Sequence, residues 1–408
     1  MFFLTLPHLS EKTMSCYSVG MKILAIETSC DETGVSILEY TDRAQVLVLG
    51  NALSSQIELH AQYGGVFPAL AKRAHAEKIT FLLEQALSDA ELLEAIDAPR
   101  TDIDLAFLDE KETLLKEHIA PFLTYYAKPG IDYIAVTVGP GLEPALWVGI
   151  NAAKALSLAW GIPIIPINHM EGHIVTAAVQ KVQENTYQIT DLALPALSLL
   201  VSGGHTELVL VHGFGTYQKI GQTRDDAVGE AFDKVARILG LPYPGGPAVS
   251  GLAAAFRTKN IDNPFTLPRP MMHSGDYDFS FSGIKTAVLY TVRDLGRELT
   301  PDDKEALAAA FEDAAIEVLV HKALKAREEY NAQTIIVGGG VAANTYLRAQ
   351  LAKALIKKAP DTHLLFPEPW LATDNAIMIG LAAATQVISG EIKARNSDEL
   401  RADGNLSL

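Results

Sequence analysis

"KILAIETSCDETGVSILEYTDRAQVLVLGNAL", Lys22 to Leu53, decides the fold. Apolar residues alternate along KILAIE, GVSILEY and QVLVLGNAL, and short polar links join the three runs. Alternation of this kind predicts strands in a meander. Helical spacing takes over in FPALAKRAHAEKITFLLEQAL from Phe67. A buried strand, IDYIAVTVG, then a helix, EPALWVGINAAKALSLAW, ending at Gly161, and a strand, IPIIPIN, complete a βββ-α-β-α-β unit.

The pattern returns downstream. ALSLLVS, TELVLVHGF and TYQKIGQ read as strands, and DDAVGEAFDKVARILG reads as a helix. After a long insertion come the helix DKEALAAAFEDAAIEVLVHKALKAREEY, the strand TIIVGGG, the helix AANTYLRAQLAKALIKK and the strand HLLFPE. The repeated topology predicts two α/β lobes with a nucleotide cleft between them, an actin-like arrangement, although the periodicities also fit an unrelated pair of α/β domains. The expected divisions are an extension at 1–20, a first lobe at 21–168 carrying an insertion at 98–129, a second lobe at 169–372, and a C-terminal helix with its tail at 373–408 that returns to the first lobe. The charged, partly helical insertion reads as a surface elaboration.

With 408 residues and 49% hydrophobic content the chain can bury a large core. Its two cysteines, Cys16 and Cys30, are too few for a disulfide framework, which fits a reducing, cytoplasmic setting. The first 20 residues lack a cationic lead, and no apolar run approaches the roughly 20 residues of a membrane helix. A soluble protein is expected. The net charge of −16 disfavours unaided binding to a polyanion, so any nucleic acid must be held by a local patch or with a partner's help.

Several segments carry candidate chemistry. Gly-rich turns after strands expose N–H groups that suit phosphate: Ser202, Gly203, Gly204 and His205 in LLVSGGHTE, and Gly338 to Gly340 in IIVGGGVAAN. VGPGLEPAL reads better as a plain strand-to-helix connection. Asp31 and Glu32 sit in the acidic turn ETSCDETG. Asp233 shares a helix face with Gly229 and Arg237. DFSFSGIKTAV reads as an edge strand packing Phe279 and Phe281. Lys72, Arg73 and Lys78 lie together in AKRAHAEK.

His169 and His173 in PINHMEGHIVTA stand about 40° apart on one helix face, close enough to share a divalent ion or to be a chance pair. In the zinc-protease pattern HExxH the glutamate follows the first histidine. Met170 occupies that place, and Glu171 lies about 200° round from His169, which disfavours a metallopeptidase. A third ligand is required. Asp374 in WLATDNAIM is attractive there, and it opens a helix where it could also serve as the N-cap.

Taken together, ETSCDETG, HMEGH, LLVSGGHTE, GEAFDKVARILGLPYPGGP, FSFSGIKTAV, GGGVAAN and TDNAIMIG resemble the bacterial-type tRNA N6-adenosine threonylcarbamoyltransferase family (TsaD, formerly Gcp) from about Met21 to about Ala384. The resemblance implies an actin-like (ASKHA) fold. It also implies transfer of threonylcarbamoyl from threonylcarbamoyl-AMP to N6 of the adenosine 3′ of the anticodon in tRNAs reading ANN codons, with release of AMP. By the same resemblance His169, His173 and Asp374 would hold one divalent metal, iron or zinc. Leu200, Val201, Ser202, Gly203 and Gly204 would line the acyl and phosphate end of the substrate, Asp233, Gly246 and Asn344 its ribose and adenine, and Asp31 and Glu32 would act near the reacting centre. Implied partners are the tRNA, a TsaB-like paralogue, a TsaE-like ATPase and a TsaC-type synthase. The insertion, the extension, Asn168 and Glu143 depart from the family pattern. An actin-like ATPase or scaffold, or a metallopeptidase, would be the rival reading.

Overall fold

The computed structural model describes residues 20–41 and 44–408. The expected extension at 1–20 therefore lies outside the described residues except for Gly20.

Three strands, β1 (Met21–Glu27), β2 (Glu32–Tyr40) and β3 (Gln45–Ser55), open the chain as an antiparallel meander. A short helix α1 (Ile57–Ala61), the long α2 (Pro68–Asp89) and α3 (Thr113–Tyr125) follow, then β4 (Tyr133–Gly139), α4 (Glu143–Trp160), β5 (Ile164–Asn168) and α5 (His169–Ala177). β4 joins β1 in parallel and β5 joins β4 in parallel. Gly161 at φ 64° ends α4 in the left-handed conformation expected of a C-terminal glycine.

A hairpin, β6 (Val179–Gln183) and β7 (Thr186–Ile189), comes next. β7 pairs with β3, so the first sheet has seven strands in the order β5-β4-β1-β2-β3-β7-β6. This hairpin follows the boundary expected at 168/169, yet it extends the first sheet. Its burial is slight, with alternation only in β7, and so it left little signal in the hydrophobic pattern.

The second sheet uses β8 (Ala196–Val201), β9 (Thr206–Gly213) and β10 (Thr216–Gln222). Helices α6 (Val228–Ile238), α7 (Gly245–Thr258), α8 (Ser282–Asp294) and α9 (Pro301–Glu329) precede β11 (Thr334–Gly338), α10 (Thr345–Lys358), β12 (His363–Leu365) and α11 (Ala376–Ser389). Its order is β10-β9-β8-β11-β12. Reversed, that is β12-β11-β8-β9-β10, which matches β5-β4-β1-β2-β3 strand for strand in order and in pairing sense.

Alternation along β1 explains the layering. Leu24 and Ile26 face one apolar cluster with α2, α3 and α4, while Ile23 and Ala25 face another with α11. α11 packs on β1, β2 and β3 as well as on α5, and α5 also reaches β8 and β11. The layer of α5 and α11 thus lies between the two sheets, with the apolar side of α11 turned to the first.

Two expectations are corrected. The insertion is no mere surface elaboration, because Leu105, Leu108, Leu115, Ile119, Phe122 and Leu123 are buried in the core of the first sheet and Phe122 meets Trp160 edge-on. DFSFSGIKTAV is not an edge strand. Phe279 and Phe281 are fully buried, but only one bridge, Thr223 to Phe279, is made there, and Ser282 begins α8. Asp225 overrides the alternation by accepting hydrogen bonds from the Phe281 and Ser282 amides and the Ser280 and Ser282 hydroxyls.

Candidate metal centre and nucleotide cavity

The end of β5 sets the metal centre. Asn168 caps α5 by accepting a hydrogen bond from the Met170 amide, so His169 begins the helix and His173 follows one turn later. Every residue of α5 is buried, and the two imidazoles meet edge to face with centroids 4.8 Å apart. Asp374 completes the group from the segment before α11. Its Oδ1 lies 3.4 Å from His169 Nε2 and 3.3 Å from His173 Nε2. One donor atom from each residue falls within 4.8 Å of the others. Asp374 is not the N-cap of α11, however. Asn375 takes that role by accepting from the Met378 amide, which leaves the aspartate carboxylate free to face the histidines.

Two observations fit these residues to a cation. His173 Nε2 is buried without a hydrogen-bond partner, despite its closeness to Asp374. His169 presents Nε2 to the same point because its Nδ1 faces Ser29 Oγ at 3.1 Å and Glu27 Oε2 at 3.3 Å. Glu27, fully buried at the end of β1, also accepts from the Ser29 amide and the Thr137 hydroxyl. Burial pushes Glu27 up, but His169 outweighs it and holds the carboxyl below its ordinary value. An anion at Nδ1 keeps the proton there and leaves the Nε2 lone pair for a metal. For His173 burial is the main influence and lowers its basicity, which favours the neutral ligand form. Against burial, His169 and His173 hold Asp374 well below the carboxylate range. Two neutral-capable imidazoles and a carboxylate suit a borderline divalent ion such as zinc or iron.

The glycines of the second sheet bring a cavity up to this centre. β11 ends at Gly338, where a Cβ would stand 2.9 Å from the His173 carbonyl oxygen, and Gly339 follows at φ 88° against the Val201 carbonyl. Only glycine fits both demands. One residue on, Gly340 lines a cavity of about 380 Å³ shared with Gly203, Asp233, Gly246 and Asn344. Gly229 also lines it, and its α-carbon packs so closely on the Ser202 carbonyl that a Cβ would stand 2.6 Å away.

Not every expected residue reaches the cavity by its side chain. Leu200 and Val201 are fully buried core residues, so that stretch contributes wall and backbone position only. Ser202 and His205 close the turn on each other, Ser202 N donating to His205 O at 2.8 Å and His205 N to Ser202 Oγ at 3.1 Å. Gly203 and Gly204 have open space where a Cβ would project. Asp233 accepts from the Gly245 amide at 2.7 Å, and burial raises its carboxyl above the ordinary value. The Asn344 amide is already committed. Its Oδ1 caps α10 through the Leu347 amide, and its Nδ2 donates to Ser250 Oγ and to buried Glu312. Arg257 holds Glu312 at 2.6 Å from the far side.

Asp31 ends the turn after β1 and Glu32 opens β2, within electrostatic reach of both features. Burial first, then Asp31 and Asp374, push Glu32 well above the ordinary carboxyl range, and the Asp31 charge also raises Asp233 and Tyr243. His75 holds the backbone here, with Nε2 3.0 Å from the Cys30 carbonyl and Nδ1 2.7 Å from Thr33 Oγ1. Glu171 is turned aside. It accepts from the Tyr217 hydroxyl at 3.0 Å and takes no part in the three-ligand group.

A family model described as TsaD, tRNA N6-adenosine threonylcarbamoyltransferase, matches residues 47–98 and 126–381. The protein of that name from Bacillus subtilis (strain 168) is 40% identical over 391 residues, covering 95% of this chain and 96% of the relative. That from Staphylococcus aureus (strain MRSA252) is 42% identical over 360 residues, covering 88% and 90%. The chain belongs to the tRNA N6-adenosine threonylcarbamoyltransferase family. It is accordingly an enzyme, a transferase of tRNA modification. The gap in the family match, 99–125, falls within the insertion that carries α3. In fold the transferase is similar to full-length HypF in its phosphate- and nucleotide-bound form, with a TM-score of 0.52 at 13% identity over 93% of this chain and 57% of HypF. Among the described residues no helix is long and apolar enough to cross a membrane.

Sequence reasoning missed Glu27, Ser250 and Glu312. Glu27 ends an apolar strand and Glu312 lies in an alanine-rich helix, so neither sits in a pattern that announces a site. Pro244 and Pro247, which flank Gly246 in the cavity wall, were visible in LPYPGGP.

Proposed function

We propose that this transferase moves the threonylcarbamoyl group from threonylcarbamoyl-AMP to N6 of the adenosine 3′ of the anticodon in tRNAs reading ANN codons, releasing AMP. The observation that carries the reading is that a segment walling a nucleotide-sized cavity also packs on the histidine-histidine-aspartate cluster: Gly338, two residues before the cavity-lining Gly340, sits against the His173 carbonyl. Cavities of this volume lie in the range of small-molecule sites.

The AMP portion lies in the cavity. The backbone at Gly203, Gly204 and Gly340, with open space where side chains would project, lets the phosphate approach, and the Asp233 oxygen not engaged with Gly245 is the acceptor for ribose hydroxyls. Asn344 acts as a wall held rigid by Ser250 and Glu312, since its own amide is already engaged. His169, His173 and Asp374 hold one divalent ion, iron or zinc, which when bound supplies a Lewis acid for a carbonyl or phosphate oxygen. Glu27 fixes His169 in the ligating tautomer.

An exocyclic adenine amine is a weak nucleophile, so orientation and charge placement dominate the rate. N6 attacks the carbamoyl carbon, the bond from that carbon to the phosphate oxygen breaks, and AMP departs with the electron pair. Asp31 receives the proton lost from N6. Glu32, kept protonated by burial and by neighbouring carboxylates, donates a hydrogen bond to developing negative charge.

The matching strand orders support two duplicated ASKHA lobes around this cleft, with α11 returning to the first. Work in the cytoplasm with a TsaB-like paralogue and a TsaE-like ATPase completes the reading. The metal-loaded chain and these partners, given threonylcarbamoyl-AMP and unmodified tRNA, should yield threonylcarbamoyladenosine in digested nucleosides by mass analysis. Replacing both His169 and His173 by alanine should abolish it with the fold intact. Transfer at the normal rate by that variant would remove the metal from the mechanism.

A further inference from the structure

The basic cluster visible in the sequence of α2 is largely neutralised in the fold. Lys72 pairs with Glu112 at 2.9 Å and Arg73 with Glu77 at 2.9 Å. Another set of cations is not. α10 contains Arg348, Lys353, Lys357 and Lys358 and no acidic residue. On α9, which packs against α10, the stretch Val318–Arg327 is likewise free of acids and contains His321, Lys322, Lys325 and Arg327.

These groups come together in space. His321 meets His273 edge to face at 5.2 Å, and after burial its proton affinity is lowered by His273, Lys358, Lys325 and Lys322. Lys325 lies 5.0 Å over the Tyr277 ring, and no ion pair is found for Lys325, Lys353, Lys357 or Lys358 among the described residues. Two cations of the group serve the fold instead. Lys322 is buried, stands 3.5 Å from the Asp276 carboxylate and donates to Ser274 Oγ, and Arg348 donates to the Ala342 and Pro367 carbonyls. Interaction with the α10 dipole accounts for lysines in its last turn, but not for the convergence of Lys358 with Lys325 and two histidines from other segments. Unneutralised cations repelling one another, in a chain of net charge −16, mark a place where an external anion would be favourable.

Position supports the same conclusion. The N-cap of α10 is Asn344 in the cavity wall, and the helix runs from there to Lys358, about 20 Å at 1.5 Å per residue. We propose that the ridge formed by the C-terminal half of α9 and the C-terminal end of α10, with Lys325, Lys353, Lys357 and Lys358, docks the phosphate backbone of the tRNA whose anticodon loop enters the cleft. This rests on the tRNA transferase reading. Backbone contacts of this kind position a nucleic acid without reading its sequence, which suits an enzyme that accepts several tRNAs.

The test is binding of labelled, unmodified ANN-reading tRNA to the full chain across a salt series, for the wild type and for Lys325→Glu/Lys357→Glu/Lys358→Glu. Affinity at 0.1 M salt should fall at least about tenfold, and the slope of log affinity against log salt should flatten by about two to three. Threonylcarbamoyl-AMP binding and circular dichroism should stay unchanged. Unaltered tRNA affinity, or weaker affinity at an unaltered slope, overturns the proposal. So does a wild-type chain that binds no tRNA at any salt. If the reversals prevent folding, the corresponding glutamines replace them, with a slope change of the same sign required. Absence of threonylcarbamoyladenosine from the complete wild-type reaction would count against the function, a separate result.

Discussion

Every donor at the three-ligand cluster is an ionisable side chain, whereas Asp233 is the one ionisable residue among those lining the neighbouring cavity. The first site depends on which side chains converge and how each is oriented. The second depends on where side chains are missing, so that backbone can approach a phosphate. Damage should therefore differ in kind: a lost ligand or orienting group should remove the metal, and a change in the cavity should weaken the nucleotide while the metal stays.

The largest effect that would sharpen this contrast comes from a residue touching neither ligand. Glu27→Gln removes the anion beside His169 Nδ1 and leaves one oxygen where two now accept from Ser29 and Thr137. Metal affinity should fall about 10- to 100-fold, as seen for orienting partners of metal-bound histidines. Titration with zinc against a competing chelator measures it, and threonylcarbamoyl-AMP affinity of the chelated protein should hold steady. If metal affinity is unmoved, His169 is oriented by Ser29 alone.

Asp233→Ala is the reciprocal change. It deletes the proposed ribose acceptor and the acceptor for the Gly245 amide, so KM for threonylcarbamoyl-AMP should rise about tenfold, the equivalent of about 1.4 kcal/mol. Bound metal should be unchanged. A variant that loses metal together with nucleotide would break the contrast and make the two sites one cooperative unit.

The same contrast explains what the sequence made legible. Strands β1, β2, β8 and β9 could be read because they are almost wholly buried apolar runs, and β3 because its burial alternates residue by residue. His169 and His173 stood out as a candidate pair because they lie one turn apart, and Asp374 joined them through its helix-opening place and the family resemblance. Glu27 and Glu312 could not, since an acid within an apolar element is recognisable only when its distant partner is known. Alternation also misled. In DFSFS it reflects Phe279 and Phe281 entering the core from an irregular segment whose two serines turn to Asp225 while Asp278 pairs with Arg224. The partner of Lys72 was equally hidden, because Glu112 comes from a separate part of the chain.

The smallest effect concerns the acidic turn between the two sites. In the metal-free protein Glu32 is raised above its ordinary value of 4.5 by burial, Asp31 and Asp374. The folded chain therefore binds a proton that the unfolded chain has released once pH exceeds about 4.5, so stability declines as pH rises from there towards the raised folded value. Glu32→Gln removes this proton linkage. Its melting temperature, measured in chelator, should exceed that of the wild type by a few degrees at pH 8 and match it near pH 4. A bound divalent ion offsets the Asp374 charge, so metal should narrow the difference. Equal melting curves at both pH values would mean that Glu32 is ionised in the fold, and the hydrogen bond it is proposed to donate during transfer would have no proton to supply it.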